Sequence, residues 1–129
     1  MAMMKSALLG RRYLVVEDEY LIAADLIVML ELAGATALGP VAHVQHAMEV
    51  LVKPDLLLDA AVLDIHLMGE TVFGAAQILL TRSIPFIFVT GACSATLPEE
   101  FSHAPRLEKP LVASDLVKAL STLAPIRSN

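Results

Sequence analysis

Apolar and polar positions follow two periods along this chain, and the two periods alternate. Short apolar runs bounded by turn residues predict five strands, at 12–17, 36–41, 60–65, 85–90 and 106–108. Apolar residues that recur at helical spacing predict helices at 19–33, 43–53, 71–82 and 112–123. Strands that alternate with helices favour parallel pairing, with helices on both faces of the sheet. The pattern therefore predicts a doubly wound α/β domain.

Glycine and proline residues mark the ends of several elements. Gly34 provides a stop after the first helix, and Pro54 ends the second. Pro40 has no N–H group to donate to a neighbouring strand, so the second strand is expected at an edge of the sheet. The segment 91–103 is poorly patterned, and we expect a loop there with at most a short, weak fourth helix.

Composition indicates a globular chain with a large core. Its 129 residues suit one domain, expected at 1–129 with a core at about 12–124, and 57% of them are hydrophobic, against roughly 45–50% in typical domains. No stretch approaches the ~18 apolar residues of a membrane span or resembles a signal peptide. The net charge of −5 disfavours nucleic-acid binding. The single Cys93 cannot form an internal disulfide, so we expect a cytoplasmic protein.

Chemically reactive side chains gather at the ends of the predicted strands. In chain order they are Glu17, Asp18, Asp64, Thr90 and Lys109. The carboxyl ends of parallel strands meet at one edge of a sheet, which is where sites of such folds lie. Carboxylate ligands that are few, open and partly hydrated suit Mg²⁺. A lysine and a hydroxyl can bind phosphoryl oxygens while a carboxylate attacks in line, so the set suits an acceptor of phosphate.

Four segments around these residues resemble response-regulator receiver domains of two-component signalling. They are "LVVEDE", "VLDIHLMGE", "FIFVTG" and "LEKP", and the resemblance covers about 12–124. It implies a flavodoxin-like five-stranded sheet of order 2-1-3-4-5 and phosphorylation of Asp64 in the presence of Mg²⁺. It further implies that Lys109 and Thr90 act on the phosphoryl group. The implied metal ligands are Glu17, Asp18, Asp64 and the backbone carbonyl of His66.

The segment "PFIFVTGAC" partly resembles a stand-alone subgroup named for a Phe-Ala-Thr-Gly-X-Tyr motif and associated with bacterial general stress and histidine-kinase networks. Val89 replaces its alanine, and Cys93 replaces its tyrosine. Arg106 occupies a position where many receivers hold a switching Tyr or Phe. We therefore expect Arg106 to face solvent or to reach a carboxylate, while Thr90 carries the signal. Receivers resembling this chain also imply a cis peptide bond between Lys109 and Pro110.

The resemblance implies a signalling role. We expect a stand-alone receiver that takes phosphate from a sensor histidine kinase or a phosphotransfer protein. It would not be an enzyme, apart from its own phosphoryl transfer and hydrolysis. Phosphorylation is expected to change the surface formed by 91–111 and its affinity for a downstream protein partner. Homodimer formation, the cognate kinase, and direct metal binding by Glu17 are left open by the sequence.

Two other functions fit parts of the pattern. One is a receiver-like interaction module that works without phosphorylation, which Mg²⁺ binding and labelling by acetyl phosphate would distinguish. The other is an aspartyl-phosphate phosphatase of the haloacid dehalogenase type. That class carries an Asp-X-Asp signature, whereas His66 stands here in place of the second aspartate.

Several of these residues also have ordinary structural explanations. Asp18 alone could be the N-cap of the first helix, and Glu19 is expected to point along that helix toward solvent. His43 and His46 have the spacing of metal ligands, but no third ligand is near them in the sequence, so we expect exposed helix positions. Cys93 is expected to be a free thiol near the site, and redox sensing is the alternative that it leaves open.

Overall fold

The computed structural model describes residues 6–91 and 96–123, in which strands and helices alternate. In chain order the elements are β1 (Arg12–Val16), α1 (Tyr20–Leu32), β2 (Thr36–Val41), α2 (Val44–Leu51), β3 (Ala60–Asp64), β4 (His66–Leu67), β5 (Glu70–Thr71), α3 (Phe73–Thr81), β6 (Phe86–Thr90), a 3₁₀ helix (Glu99–Phe101), β7 (Arg106–Glu108) and α4 (Ala113–Ser121). The five predicted strands and four predicted long helices are confirmed, with ends that differ by two residues at most.

The five longer strands form one parallel sheet in the order β2-β1-β3-β6-β7. Counted without the two short strands, this is the predicted order 2-1-3-4-5. β2 lies at an edge, as Pro40 predicted. Val16 at the end of β1 pairs with Leu63, and Asp64 pairs with Val89 of β6. This register brings the carboxyl ends of the three central strands side by side.

Alternate residues of the central strands pack against different layers of helices. Leu14 and Leu63 belong to a buried cluster that also contains residues of α2 and α3. Val15 and Val62 belong to a second cluster, which contains residues of α1 and α4. Strands covered on both faces are apolar at successive positions, which explains the continuous apolar runs of β1, β3 and β6. The doubly wound architecture is confirmed.

A short hairpin between β3 and α3 was not predicted. In it, β4 and β5 pair antiparallel, His66 opposite Thr71 and Leu67 opposite Glu70. The two residues between them, Met68 and Gly69, have φ values of 50° and 84°, as a tight two-residue turn requires. Because the hairpin uses the chain up to residue 71, α3 begins at residue 73 rather than at 71.

The described part of the segment after β6 agrees with the expected loop that has at most a short, weak helix. This helix is the single 3₁₀ turn Glu99–Phe101, and Phe101 is buried. The Phe101 ring lies 5.5 Å from Phe73, 6.1 Å from Phe86 and 6.2 Å from Phe88, measured between ring centroids. This aromatic contact fixes the end of the segment to the sheet and to α3. Cys93 lies outside the described residues, so the expectation of a free thiol near the site stays a prediction.

Two further expectations concern the surface. His43 and His46 are both exposed, as the sequence predicted. Within residues 6–91 and 96–123, no helix has the length and apolar character needed to cross a membrane.

Candidate functional site

The sheet brings the predicted site residues together at its carboxyl edge. Asp64 and Thr90 are the last residues of β3 and β6, Asp18 follows β1, and Lys109 follows β7. All four line one open cavity. Glu17 precedes Asp18, and its side chain is fully buried. The structure therefore places these five residues around a single site, while their individual chemical roles stay predictions.

Lys109 connects three carboxylates of this site. Its Nζ atom donates hydrogen bonds to Glu19 Oε1 at 3.0 Å, to Glu17 Oε2 at 3.3 Å and to Asp64 Oδ2 at 3.3 Å. Partial burial lowers the pKa of Lys109, but the hydrogen bonds to Glu19 and Glu17 and the negative charges of Asp64 and Glu17 raise it more. The net effect raises the pKa above its usual value, so Lys109 carries its positive charge at neutral pH.

Glu17 is a buried acid in a crowded position. Burial raises its pKa to about 7, helped by the nearby charge of Asp64 and opposed by a hydrogen bond from the backbone N–H of Glu19, which lies 3.1 Å from Oε2. The Oε1 atom lies 3.1 Å from Lys109 Nζ, yet no described group donates a hydrogen bond to it. A buried carboxylate oxygen without a donor is costly unless a proton or a cation occupies the position next to it.

Asp64 shares this environment. It is buried at the end of β3, and burial raises its pKa above the usual range. A hydrogen bond from Glu17 and the positive charge of Lys109 oppose that rise. Two interacting acids of this kind titrate as a pair, and burial disfavours the state in which both are ionised.

Asp18 is not the N-cap of the first helix, so its ordinary structural explanation is wrong. The N-cap residue of α1 is Glu19, and its side chain makes no capping hydrogen bond. Asp18 Oδ2 instead accepts a hydrogen bond from the backbone N–H of Met68, 3.0 Å away. Burial raises the pKa of Asp18, but the hydrogen bonds from Met68 and from its own N–H outweigh that effect, and its pKa is lowered. Asp18 is therefore ionised and is linked to the β4–β5 turn.

Glu19 does not point along α1 toward solvent, contrary to the expectation. Its Oε1 atom lies 3.0 Å from Lys109 Nζ, although 61% of its side chain is exposed. The physical reason is the extended backbone of Glu19, with φ −87° and ψ 114°, since the helix has not yet begun at this residue. A projection onto a helical wheel therefore gives the wrong direction, and no signal in the sequence distinguishes Glu19 from an exposed first-turn acid.

Thr90 and His66 line the same cavity as Asp64. Thr90 is buried, and its backbone carbonyl accepts a hydrogen bond of 2.8 Å from the N–H of Lys109. This bond extends the pairing of β6 with β7, and the peptide bond between Lys109 and Pro110 is cis, as predicted. The side chain of His66 is exposed, while its backbone N–H donates to Asp64. Metal binding by the His66 carbonyl stays a prediction.

The donor atoms fit a small, hard cation. One carboxylate oxygen from each of Glu17, Asp18, Glu19 and Asp64 lies within 4.8 Å of the others. Oxygen ligands in an open position, with room for water, are those that Mg²⁺ prefers. The Glu17 oxygen that lacks a hydrogen-bond donor adds a second reason for a positive group here. The residues present therefore fit the predicted Mg²⁺ site, and the Glu19 carboxylate, which the sequence did not place here, lies next to it on Lys109.

Comparison with other proteins shows similarity over most of the chain, although no model of a known protein family matches it. The solution structure of SdrG from Sphingomonas melonis Fr1 is 39% identical, with a TM-score of 0.77, and the match covers 92% of this chain and 98% of that one. The signal receiver domain of a modulated diguanylate cyclase from Desulfovibrio desulfuricans G20 is 32% identical, with a TM-score of 0.72, and the match covers 88% of this chain and 92% of that one.

A third relative is the transcriptional regulatory protein PdtaR of Mycobacterium tuberculosis, which is 32% identical over 120 residues. The match covers 88% of this chain and 57% of that protein, so this chain spans a little over half the length of the curated relative. The sequence motifs, the sheet order and the similarity to a receiver domain along nearly its full length agree. The chain belongs to the family of response-regulator receiver domains.

Proposed function

We propose that this chain is a phosphoacceptor and that Asp64 receives a phosphoryl group from a histidine kinase or a phosphotransfer protein. The observation that carries the proposal is the position of Asp64. It ends β3 at an open cavity, accepts a hydrogen bond from Lys109 at 3.3 Å, and lies among acids that fit a divalent cation. A buried carboxylate in a cluster of like charges is stabilised poorly in the resting protein, which favours its use as a nucleophile.

The transfer is a displacement at phosphorus. An oxygen of Asp64 forms the new bond, and the P–N bond of a phosphohistidine breaks, with its electron pair left on the imidazole nitrogen. Glu17, Asp18, Asp64 and the carbonyl of His66 would hold Mg²⁺, which supplies positive charge to the transferring phosphoryl oxygens. Lys109 provides a second positive charge on another side of Asp64. Thr90, at the end of the neighbouring strand, supplies a hydroxyl for the product acyl phosphate.

The output is an altered affinity for another protein. Acyl phosphate formation replaces the carboxylate of Asp64 and changes the partners that Lys109 and Thr90 can bind. Thr90 directly precedes this segment in the chain, and Lys109 lies near its end and donates its backbone N–H to the carbonyl of Thr90. The signal thus reaches this surface without further chemistry, and the chain needs no enzymatic activity beyond its own phosphorylation and hydrolysis. The stand-alone organisation and the cytoplasmic location stay predictions.

Phosphorylation of Asp64 is directly testable. Asp64→Asn should abolish the acid-labile, Mg²⁺-dependent labelling of the protein by acetyl phosphate, because an amide oxygen is a poor nucleophile. Asp55→Asn is the matched control, since Asp55 is exposed and lies outside the site. Phosphate incorporation is measured by the mass of the intact protein. Labelling that persists in Asp64→Asn would exclude Asp64 as the sole acceptor, and an unlabelled wild-type protein would favour the phosphorylation-independent interaction module.

A further inference from the structure

The ammonium group of Lys109 has no donor left for a phosphoryl group in the resting structure. A lysine side chain has three N–H donors. Those of Lys109 are used by Glu17, Glu19 and Asp64, at 3.3, 3.0 and 3.3 Å. Its side chain is only 12% exposed, so it has little freedom to turn toward a new partner without leaving an old one.

Phosphoryl transfer requires a fourth acceptor for this group. With acetyl phosphate as the donor, an oxygen of Asp64 forms the new bond to phosphorus, and acetate departs with the electron pair of the broken P–O bond. During this step the phosphoryl oxygens need positive charge next to them. Lys109 already donates hydrogen bonds to Asp64, Glu17 and Glu19. An oxygen of the phosphoryl group would be a fourth acceptor for its three N–H donors. One of the three carboxylates must therefore release Lys109 before or during transfer.

The three carboxylates differ in what their release would cost. The Glu17 side chain is 0% exposed, so its release would leave a buried charge without compensation. Asp64 is the nucleophile itself and has to stay next to the lysine. Glu19 is 61% exposed, and water can replace Lys109 at its carboxylate. We propose that Glu19 is the exchangeable partner of Lys109: the Glu19 carboxylate holds the lysine in the resting state and releases it to the phosphoryl group. This role rests on the proposed function.

The local structure allows this exchange without disturbing the rest of the site. Glu19 contacts the site in two separate ways, by its side chain to Lys109 and by its backbone N–H to Glu17 Oε2. Its side chain makes no capping hydrogen bond to α1. A change of the Glu19 side chain therefore removes the Lys109 contact alone, and the backbone bond to Glu17 remains. Glu19 is a positioning residue, since it acts on the reaction through Lys109.

Three variants separate the contact from the charge. Glu19→Ala removes both the contact with Lys109 and one negative charge. Glu19→Asp keeps the charge but is one methylene shorter, so the 3.0 Å contact is lost. Asp25→Ala is the matched control, because Asp25 is an exposed acid of α1 that lines a cavity together with Glu19 and Lys109, and it forms no ion pair with Lys109 in the described structure.

The rate constant of phosphorylation by acetyl phosphate, at saturating Mg²⁺, is the first measurement. We expect Glu19→Ala and Glu19→Asp each to be about two- to five-fold faster than the wild type, in line with the strength of an exposed ion pair, and Asp25→Ala to change the rate less than half as much. Equal acceleration by Glu19→Ala and Asp25→Ala, with Glu19→Asp like the wild type, would show a general charge effect and overturn the proposal. Slower phosphorylation of both Glu19 variants would also overturn it.

Two measurements without a phosphodonor keep this test independent of the proposed function. The side-chain ammonium resonance of Lys109 should shift and exchange faster with water in both Glu19 variants and not in Asp25→Ala. Calorimetry should find Mg²⁺ affinity nearly unchanged in the Glu19 variants and lowered in Asp18→Ala; equal losses would make Glu19 a metal ligand and overturn the exchange role. If wild-type labelling is absent, the proposed function fails; if labelling is present but insensitive to Glu19, only this inference fails.

Discussion

Two buried aspartates lie at opposite ends of β3, and their surroundings differ in kind. Asp59 immediately precedes the strand and is 5% exposed, and its Oδ2 atom accepts a 2.8 Å hydrogen bond from the backbone N–H of Arg12. Asp64 ends the strand and is 6% exposed, but it is surrounded by other acids and by Lys109. Burial is therefore almost equal at the two positions, and it does not distinguish a structural acid from a reactive one.

The difference lies in what each carboxylate does for its neighbours. Asp59 joins the first residue of β1 to the start of β3, because its carboxylate accepts the backbone N–H of Arg12. The Arg12 side chain adds a second link there, from Nε to the carbonyl of Leu57 at 3.0 Å. Asp64 raises the pKa of its neighbour Glu17 and needs Lys109 to balance its charge. The amino edge of the sheet thus uses a carboxylate to satisfy a backbone donor, whereas the carboxyl edge holds acids whose charges are compensated only in part.

Removal of Lys109 is expected to have the largest effect on stability. Lys109→Ala leaves Glu17 and Asp64 buried without their positive partner, so the free energy of unfolding should fall by about 3 kcal/mol at pH 8 in EDTA. The loss should shrink at pH 5, where the acids take up protons, and on addition of Mg²⁺. Urea denaturation measures it. Lys118→Ala is the control, because Lys118 is an exposed lysine of α4; an equal loss in both variants would remove the special status of the carboxyl edge.

The same substitution at the two ends of β3 should lower stability at one end only. Asp59→Ala leaves the N–H of Arg12 without its acceptor and should lower the free energy of unfolding by about 1–3 kcal/mol. Asp64→Ala removes one charge from a repulsive cluster and should leave stability at pH 8 equal or higher, as is common for residues of functional sites. Thermal unfolding in EDTA compares the two variants. A destabilisation of Asp64→Ala as large as that of Asp59→Ala would mean that Asp64 is structural after all.

Glu17 should make stability depend on pH at the carboxyl edge. Its folded pKa of about 7 lies above its ordinary value of 4.5, so between these pH values the folded protein binds more protons than the unfolded chain. Stability that is fully present below pH 4.5 is therefore lost as the pH rises through 7. Glu17→Gln cannot ionise and should be more stable than the wild type by up to about 3 kcal/mol at pH 8, with little difference at pH 4.5.

Urea denaturation in EDTA at several pH values tests this sign. The control is Glu49→Gln, which makes the same substitution at an exposed glutamate of α2, outside the site. A wild-type protein whose stability rises from pH 5 to 8 relative to Glu17→Gln would mean that Lys109 compensates Glu17 fully.

The sequence predicts the sheet and the position of the site well, for identifiable reasons. β1, β3 and β6 are buried on both faces, so each appears in the sequence as an unbroken apolar run. Once these runs are identified, Asp18, Asp64 and Thr90 are found at or just after their carboxyl ends. The β4–β5 hairpin was missed because strands of two residues show no period. The contact of Glu19 with Lys109 was missed because it joins residues 90 positions apart through the N-cap of α1.

Asp59 shows a second limit of the sequence. Its position just before an apolar run does not distinguish it from a solvated turn residue, and its buried bond to Arg12 depends on the register of β1 with β3. By contrast, the exposure of Arg106 was predicted correctly, because a charged residue on the edge strand β7 has solvent on one side. The interactions that are hardest to predict from the sequence are those that side chains form between different strands, at the amino and carboxyl ends of those strands.

The smallest expected effect concerns Arg106, which sits opposite Phe88 in the pairing of β6 with β7. Because its side chain is exposed, Arg106→Ala should change the phosphorylation rate of Asp64 and the hydrogen exchange of amides 96–104 very little, since exposed ion pairs contribute only about 0–1 kcal/mol. Thr90 is buried beside Asp64 and bonded through its carbonyl to Lys109, so Thr90→Ala should leave phosphorylation possible but remove the response of those amides to a phosphate mimic. Hydrogen exchange of both variants, with and without beryllofluoride and Mg²⁺, compares them. If Arg106→Ala erases the response and Thr90→Ala preserves it, the signal leaves the carboxyl edge through β7 and not through the end of β6.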